Sequence, residues 1–208
     1  MEGRTGGMSD LSNVLKIDLR EYFNNKAICD IATITSDGYS SAVSDDMMIV
    51  SGSMEYINEN YKGFFDFSEI ATENNDSFIC QGQKIEGAFG NCTQICILGF
   101  GQWINFNDII TVIYENGEQE ELQFSMPCGE AYERWMTIKQ HGLLLSTEYR
   151  SLERGISDIA FLAERSNGVQ SDKIGVYVSK CILEKCGKIK SIIFPDNEFV
   201  IVFAITLV

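Results

Sequence analysis

The strongest constraint on the fold is a series of short runs rich in Ile, Val, Phe and Tyr that recurs along the chain. Polar and glycine-containing clusters separate the runs at the spacing typical of sandwiches and barrels. Helical patterns are confined to three short segments: Ser9–Leu15, Tyr132–Gln140 and Ser151–Asp158. We therefore predict an all-β protein, a two-sheet antiparallel β-sandwich of the jelly-roll type with one or two short helices. The predicted strands are Val14–Leu19, Ile28–Ile34, Met47–Val50, Ser77–Gln81, Thr93–Gly99, Ile109–Tyr114, Glu121–Met126, Ile159–Ala163, Val176–Leu183, Ile189–Phe194 and Phe199–Leu207.

Two features of this series carry more specific information. Asn116-Gly117 separates the runs that end at Tyr114 and begin at Glu121. Because Asn and Gly both tolerate positive φ, we predict a type I′ β-hairpin there. The final strand, Phe199–Leu207, is apolar almost without interruption, which is typical of a strand covered on both faces. We expect it at the centre of a sheet.

The length of the chain predicts one folded unit. A chain of 208 residues falls within the range of a single all-β domain, and about 70 % of the unfolded surface can be buried at that size. We predict a flexible leader over residues 1–13 and a single β-sandwich domain over residues 14–208. No run of about 18 apolar residues exists, so no transmembrane helix is expected. The first ten residues lack the apolar stretch of a signal peptide.

The charge balance restricts the partners. The chain has 16 basic and 30 acidic residues, a net charge of −14. Nucleic acids and anionic membranes are therefore disfavoured as partners, because both require clustered Lys and Arg. Carbohydrates, cations and basic proteins remain as candidate partners. Asp30, Asp37 and Asp66 are candidate Ca²⁺ ligands, since Ca²⁺ takes oxygen ligands, although loop acids without an ion are the alternative. No other cofactor is expected.

The seven cysteines indicate a reducing compartment. Several of them lie inside apolar runs, where a thiol acts as a small hydrophobic group. Without an export signal this usage fits the cytoplasm better than a disulfide framework. Cys92 and Cys96, like Cys181 and Cys186, lack the two-residue spacing of common zinc sites. His141 is the only histidine, so no structural metal is predicted.

Five segments resemble a known family. Phe194–Thr206, with the sequence FPDNEFVIVFAIT, resembles the closing pair of strands in galactose-binding-like β-sandwich modules of bacterial glycoside hydrolases. The other segments match in the same order: Ile17–Ile28, Phe78–Glu86, Cys92–Gly101 and Thr111–Gly117. The resemblance implies a galactose-binding-like fold, a bacterial source and an accessory, carbohydrate-binding role beside sugar-processing enzymes.

Candidate ligand-binding residues combine aromatic rings with planar polar groups. An aromatic ring stacks on the apolar face of a sugar, and amides, carboxylates or Arg bind its hydroxyl groups. The candidates are Trp103, Asn105, Tyr132, Arg134, Trp135 and His141. Taken singly, each tryptophan has an alternative as a cap on the hydrophobic core, with its N–H bonded to a carbonyl. His141 is not accompanied by a nucleophile elbow, a paired acid motif or HExxH, so no catalytic residue is predicted.

Three functions follow from these features. The leading hypothesis is a non-catalytic module that binds a glycan through loops at one end of the sandwich. The second is a structural or interaction subunit that docks on a catalytic, sugar-processing partner chain, which an exposed apolar face would favour. The third is a free-standing enzyme acting on a sugar, which would require converging acids with His141 in a deep pocket.

Overall fold

A computed structural model describes residues 14–29, 48–65, 75–103, 105–129, 157–166 and 171–208. Within these residues thirteen strands form a nine-stranded and a four-stranded sheet. The predicted all-β class with two packed antiparallel sheets is confirmed. The strands are β1 Leu15–Lys16, β2 Ile28–Cys29, β3 Met48–Val50, β4 Glu55–Tyr56, β5 Phe78–Gln81, β6 Lys84–Glu86, β7 Gln94–Gly101, β8 Phe106–Tyr114, β9 Gln119–Met126, β10 Ser157–Ser166, β11 Ser171–Ile182, β12 Ile189–Ile193 and β13 Asp196–Leu207.

The large sheet has the order β1-β13-β7-β11-β10-β3-β2, with β5 also paired to β13 and β4 to β10. The small sheet has the order β6-β12-β8-β9. Adjacent strands are antiparallel except for the parallel pair β2 and β3. Strand β13 pairs with β7 along one edge and with β5 and β1 along the other, so it lies inside the large sheet.

Strand β13 separates two hydrophobic cores. Val200, Val202 and Ile205 pack in the core between the two sheets. Ile201 and Phe203 pack in a second core on the opposite face of the large sheet, together with side chains of the 48–65 segment. A register shift between Val202 and Ala204 accompanies this change of side. The expectation that both faces of the final strand are covered is correct.

The hairpin between β8 and β9 is confirmed, but its predicted turn type is wrong. Gly117 has φ 85°, whereas Asn116 does not have positive φ. Tyr114 N donates to Glu118 O at 3.0 Å, and Gly117 N donates to Tyr114 O at 3.0 Å. The loop therefore has three residues, with the glycine alone in the left-handed region, as in a type I turn followed by a G1 bulge.

The free edge of β9 is closed by side chains of the large sheet. Ser157 Oγ donates to Ser125 O at 2.9 Å, and Cys181 Sγ donates to Gln123 O at 3.3 Å. Ser125 N donates to Ser179 Oγ at 3.1 Å. These bonds satisfy backbone groups that an edge strand would otherwise expose to another chain. They also hold the small sheet against β10 and β11.

A buried carboxylate anchors the turn between β11 and β12. Glu120 accepts hydrogen bonds from Tyr114 Oη at 2.5 Å, from Glu184 N at 2.7 Å and from Lys185 N at 3.4 Å. Burial, followed by the bond to Glu120, raises the pKa of Tyr114, so its hydroxyl stays protonated and donates. The carboxylate thereby joins β8, β9 and the turn.

We expect Glu120→Ala to lower the free energy of unfolding by about 2 kcal/mol, because it removes the nearest acceptor of the buried Tyr114 hydroxyl and the acceptor of two part-buried N–H groups. The neighbouring Glu121 is exposed, so Glu121→Ala is the matched control and should stay within about 0.5 kcal/mol of the parent. Urea unfolding of both variants measures the difference. Equal stability of the two variants would show that the hydrogen bonds of Glu120 do not contribute to the free energy of unfolding.

Several sequence predictions are corrected at the level of single elements. Strands β4 and β6 were not predicted, and β1 covers only part of Val14–Leu19. Ser157 and Asp158, predicted at the end of a helix, lie in β10. Leu15, which falls in both the predicted strand Val14–Leu19 and the predicted turn Ser9–Leu15, lies in β1. In the described part of the chain the helical segments are two 3₁₀ turns, Arg20–Tyr22 and Glu59–Tyr61. The predicted leader and the Tyr132–Gln140 helix lie outside the described residues, and no helix within them is long and apolar enough to cross a membrane.

Six of the described cysteines carry free thiols: Cys80, Cys92, Cys96, Cys128, Cys181 and Cys186. Burial raises the pKa of Cys92 to about 11 and that of Cys181 to about 12. A buried thiol with a raised pKa forms little thiolate and resists oxidation. We predict that titration of the denatured, non-reduced protein from a reducing cytoplasm yields seven free thiols. Three intact disulfides would contradict both this prediction and the cytoplasmic location.

Candidate functional site

The structure describes two of the six predicted ligand-binding residues, Trp103 and Asn105. Both lie in the short connection between β7 and β8. The other four, and the three candidate Ca²⁺ ligands, lie outside the described residues: Tyr132, Arg134, Trp135, His141, Asp30, Asp37 and Asp66. Within the described residues no three His, Cys, Asp or Glu side chains cluster as a metal site would require.

Trp103 is presented to solvent on a strained backbone. Trp103 is 50 % exposed, which favours the ligand-binding interpretation over that of a cap on the hydrophobic core. Its φ of 67° is the only positive value at a non-glycine position among the described residues. A bulky residue seldom adopts this conformation, and such strain persists only where surrounding contacts enforce it.

Three hydrogen bonds enforce the conformation of this connection. Gln102 N donates to Phe199 O at 2.8 Å, and Gly101 N donates to Pro127 O at 2.9 Å. Cys128 N donates to Asn105 Oδ1 at 2.7 Å. The amide oxygen of Asn105 thus holds the connection in place and is a positioning group. The loop is tied on one side to β13 and on the other to the segment that follows β9.

A large bulge in β13 turns Phe199 outward next to this loop. Asn197 is opposite Cys80 of β5, but the next paired residue, Ile201, is opposite the adjacent Ile79. The residues between Asn197 and Ile201 therefore have no partners on β5. Phe199 lies within this bulge and is 42 % exposed. Bulges of this kind redirect side chains and are common beside functional sites.

The ring of Phe199 stacks on that of Phe106, the first residue of β8. The ring centroids are 6.0 Å apart, and the planes differ by 2°. Gln102 N donates a hydrogen bond to Phe199 O, and Trp103 is the next residue along the chain. This hydrogen bond links the loop that carries Trp103 to the Phe106–Phe199 pair. We call Trp103, Phe106 and Phe199 the aromatic platform. It lies at one end of the sandwich.

Polar groups lie beside the platform. Asn197 Oδ1 accepts from Phe199 N at 3.2 Å, and Asn197 Nδ2 donates to Asp108 Oδ2 at 3.4 Å. Gln102 is buried, and its Nε2 has no hydrogen-bond partner among the described residues. Amides and a carboxylate thus accompany the exposed rings.

Sequence reasoning did not identify Phe106, Phe199, Asp108 or Asn197. Phe199 was assigned to the final apolar strand, and Asp196 and Asn197 fell between two predicted strands. In the structure β13 begins at Asp196, and the turn is Phe194-Pro195. The polar residues that interrupt the apolar pattern just before Phe199 were the available signal for a bulge.

One further depression lies away from the platform. It is shallow and open, and it is lined by Glu86, Gly87, Ala88, Glu115 and Lys190. Its charged groups are of mixed sign, and its lining includes no aromatic ring. It therefore lacks the combination of features that distinguishes the aromatic platform.

No family model matches the chain, and no curated protein is significantly similar to it in sequence. The resemblance to galactose-binding-like modules remains a hypothesis that rests on the five sequence segments.

Proposed function

We propose that the protein is a non-catalytic carbohydrate-associated module that binds a glycan on the aromatic platform. The observation that supports this most directly is the half-exposed Trp103 beside the stacked Phe106–Phe199 pair. A flat ring exposed next to amide and carboxylate groups offers both the stacking and the hydrogen bonding that a pyranose requires. Large aromatic side chains exposed at a surface also mark interaction sites in general.

The strained backbone of Trp103 supports the same proposal. A tryptophan in the left-handed region costs free energy that a glycine would avoid. Retaining the indole there is consistent with a use for its exposed face. The free thiols of the described cysteines are consistent with the cytoplasm as the place of action.

We expect Trp103→Ala to weaken glycan binding by about 2 kcal/mol or more, the scale of an aromatic anchor, while the melting temperature stays nearly unchanged. The exposed position is the reason that stability is preserved. A glycan array identifies the saccharide, and calorimetry with thermal melting compares the variant with the parent.

Ile182→Ala is the matched control, because Ile182 is 61 % exposed and lies at the opposite end of the neighbouring strands. It should change neither binding nor stability. An array without any bound saccharide, or a Trp103→Ala variant with full affinity, would refute the glycan proposal.

A second candidate, docking on a catalytic partner chain, is favoured by Ile109. This side chain is 51 % exposed on β8, on the solvent-facing side of the small sheet and on the opposite face of the strand from Phe106. Exposed apolar patches mark protein interfaces as well as ligand sites. Ile109→Asp distinguishes the two: it should abolish capture of a partner chain but leave saccharide affinity unchanged.

A further inference from the structure

Three carboxylates lie beside the proposed site. Asp196 and Glu198 are exposed on the bulged segment on either side of Asn197, and Asp108 is hydrogen-bonded to Asn197. None of these three carboxylates forms an ion pair with another described residue. The charges therefore lie next to the aromatic platform without a neutralising partner in the described structure.

Positive charge is missing from the same elements. Strands β5, β7, β8, β9 and β13 contain no Lys or Arg, and neither do the described residues of the β7–β8 connection. The strand that follows β5, β6, carries Lys84, and this lysine is ion-paired with Glu86 at 2.5 Å. Recognition of a carboxylate or sulfate normally uses Arg or Lys, and Arg provides a bidentate donor pair.

Resting on the proposed glycan function, we infer that this site selects uncharged saccharides and rejects acidic ones, such as uronates and sulfated sugars. One unit charge about 7 Å away in water weakens the binding of an anion about twofold to threefold. Two or three such carboxylates together weaken it about tenfold at low salt. The Debye length is about 8 Å at physiological ionic strength, so salt reduces the discrimination.

The test compares matched oligosaccharides that differ only at C6 of each ring: galactose with galacturonate oligomers, and glucose with glucuronate oligomers. Calorimetric titration at low salt is expected to show binding of a neutral member and at least tenfold weaker binding of its uronate. The difference in affinity between the neutral oligosaccharide and its uronate should become smaller as salt is added. A uronate that binds as tightly as its neutral partner would overturn the inference and leave the glycan function standing.

Charge variants test the cause. The double variant Asp196→Asn with Glu198→Gln should bind uronates more tightly and so reduce the affinity difference between neutral and uronate oligosaccharides severalfold. Glu115→Gln with Glu118→Gln makes the same change in net charge at the hairpin, the opposite end of β8, and should leave the affinity difference unchanged. Equal effects of the two double variants would overturn the local origin of the selectivity. Failure of all neutral oligosaccharides to bind would instead refute the proposed function itself.

Discussion

Removal of Phe199–Val208 is expected to abolish cooperative folding. Every residue from Val200 to Leu207 is buried, and a fully buried Val, Ile or Phe contributes about 1.5–3 kcal/mol. The sum for this segment is comparable to the 5–15 kcal/mol that typically stabilises a whole protein. The deletion also removes the partner of β7, β5 and β1 and opens both cores.

Circular dichroism and urea unfolding of the truncated chain measure this effect. The control is Phe199→Ala in the full chain, which changes an exposed side chain of the same segment and should keep a cooperative transition. A truncated protein that remains soluble and unfolds cooperatively would show that β13 is peripheral.

The second large effect is expected from Gly99→Ala in β7. A Cβ atom at Gly99 would lie 2.1 Å from the backbone oxygen of Ile201, far closer than a van der Waals contact. Since β7 lies between β13 and β11 and is covered on both faces, the backbone of a central strand must move. We expect a loss of about 3 kcal/mol or more, the upper range for overpacking.

Gly117→Ala separates this clash from a purely conformational cost. Gly117 has φ 85° and nothing within 4 Å of the added Cβ position, so only backbone strain of about 1–2 kcal/mol is expected. Chemical denaturation of both variants gives the comparison. A Gly99→Ala variant no less stable than Gly117→Ala would mean that β7 can shift without cost.

The fold was predictable from the sequence where apolar runs are long. Strands such as β7 and β13 are recognisable because their residues are buried on both faces of a sheet. The two-residue β4 and the three-residue β6 contain too few residues to show a period. The hairpin was predictable, but its turn type was not, because Asn-Gly also fits a three-residue loop.

The candidate site was predictable only in part. Trp103 was identified from its aromatic ring, but the position of its loop depends on hydrogen bonds to Phe199 and Pro127, which are remote in sequence. Phe199 belongs to an apolar run, and only the register against β5 reveals the bulge that turns it outward. Registers between distant strands are tertiary properties, which a local pattern does not encode.

The position of β13 also has a consequence for how the chain folds. This strand pairs with β1, β5 and β7, so its partners precede it by roughly half of the chain or more. The entropy of closing such long loops is lost before the contacts form, and proteins dominated by distant pairings fold slowly. Until β13 inserts, β7 exposes an unpaired apolar edge. Self-association should therefore compete with folding mainly during this interval.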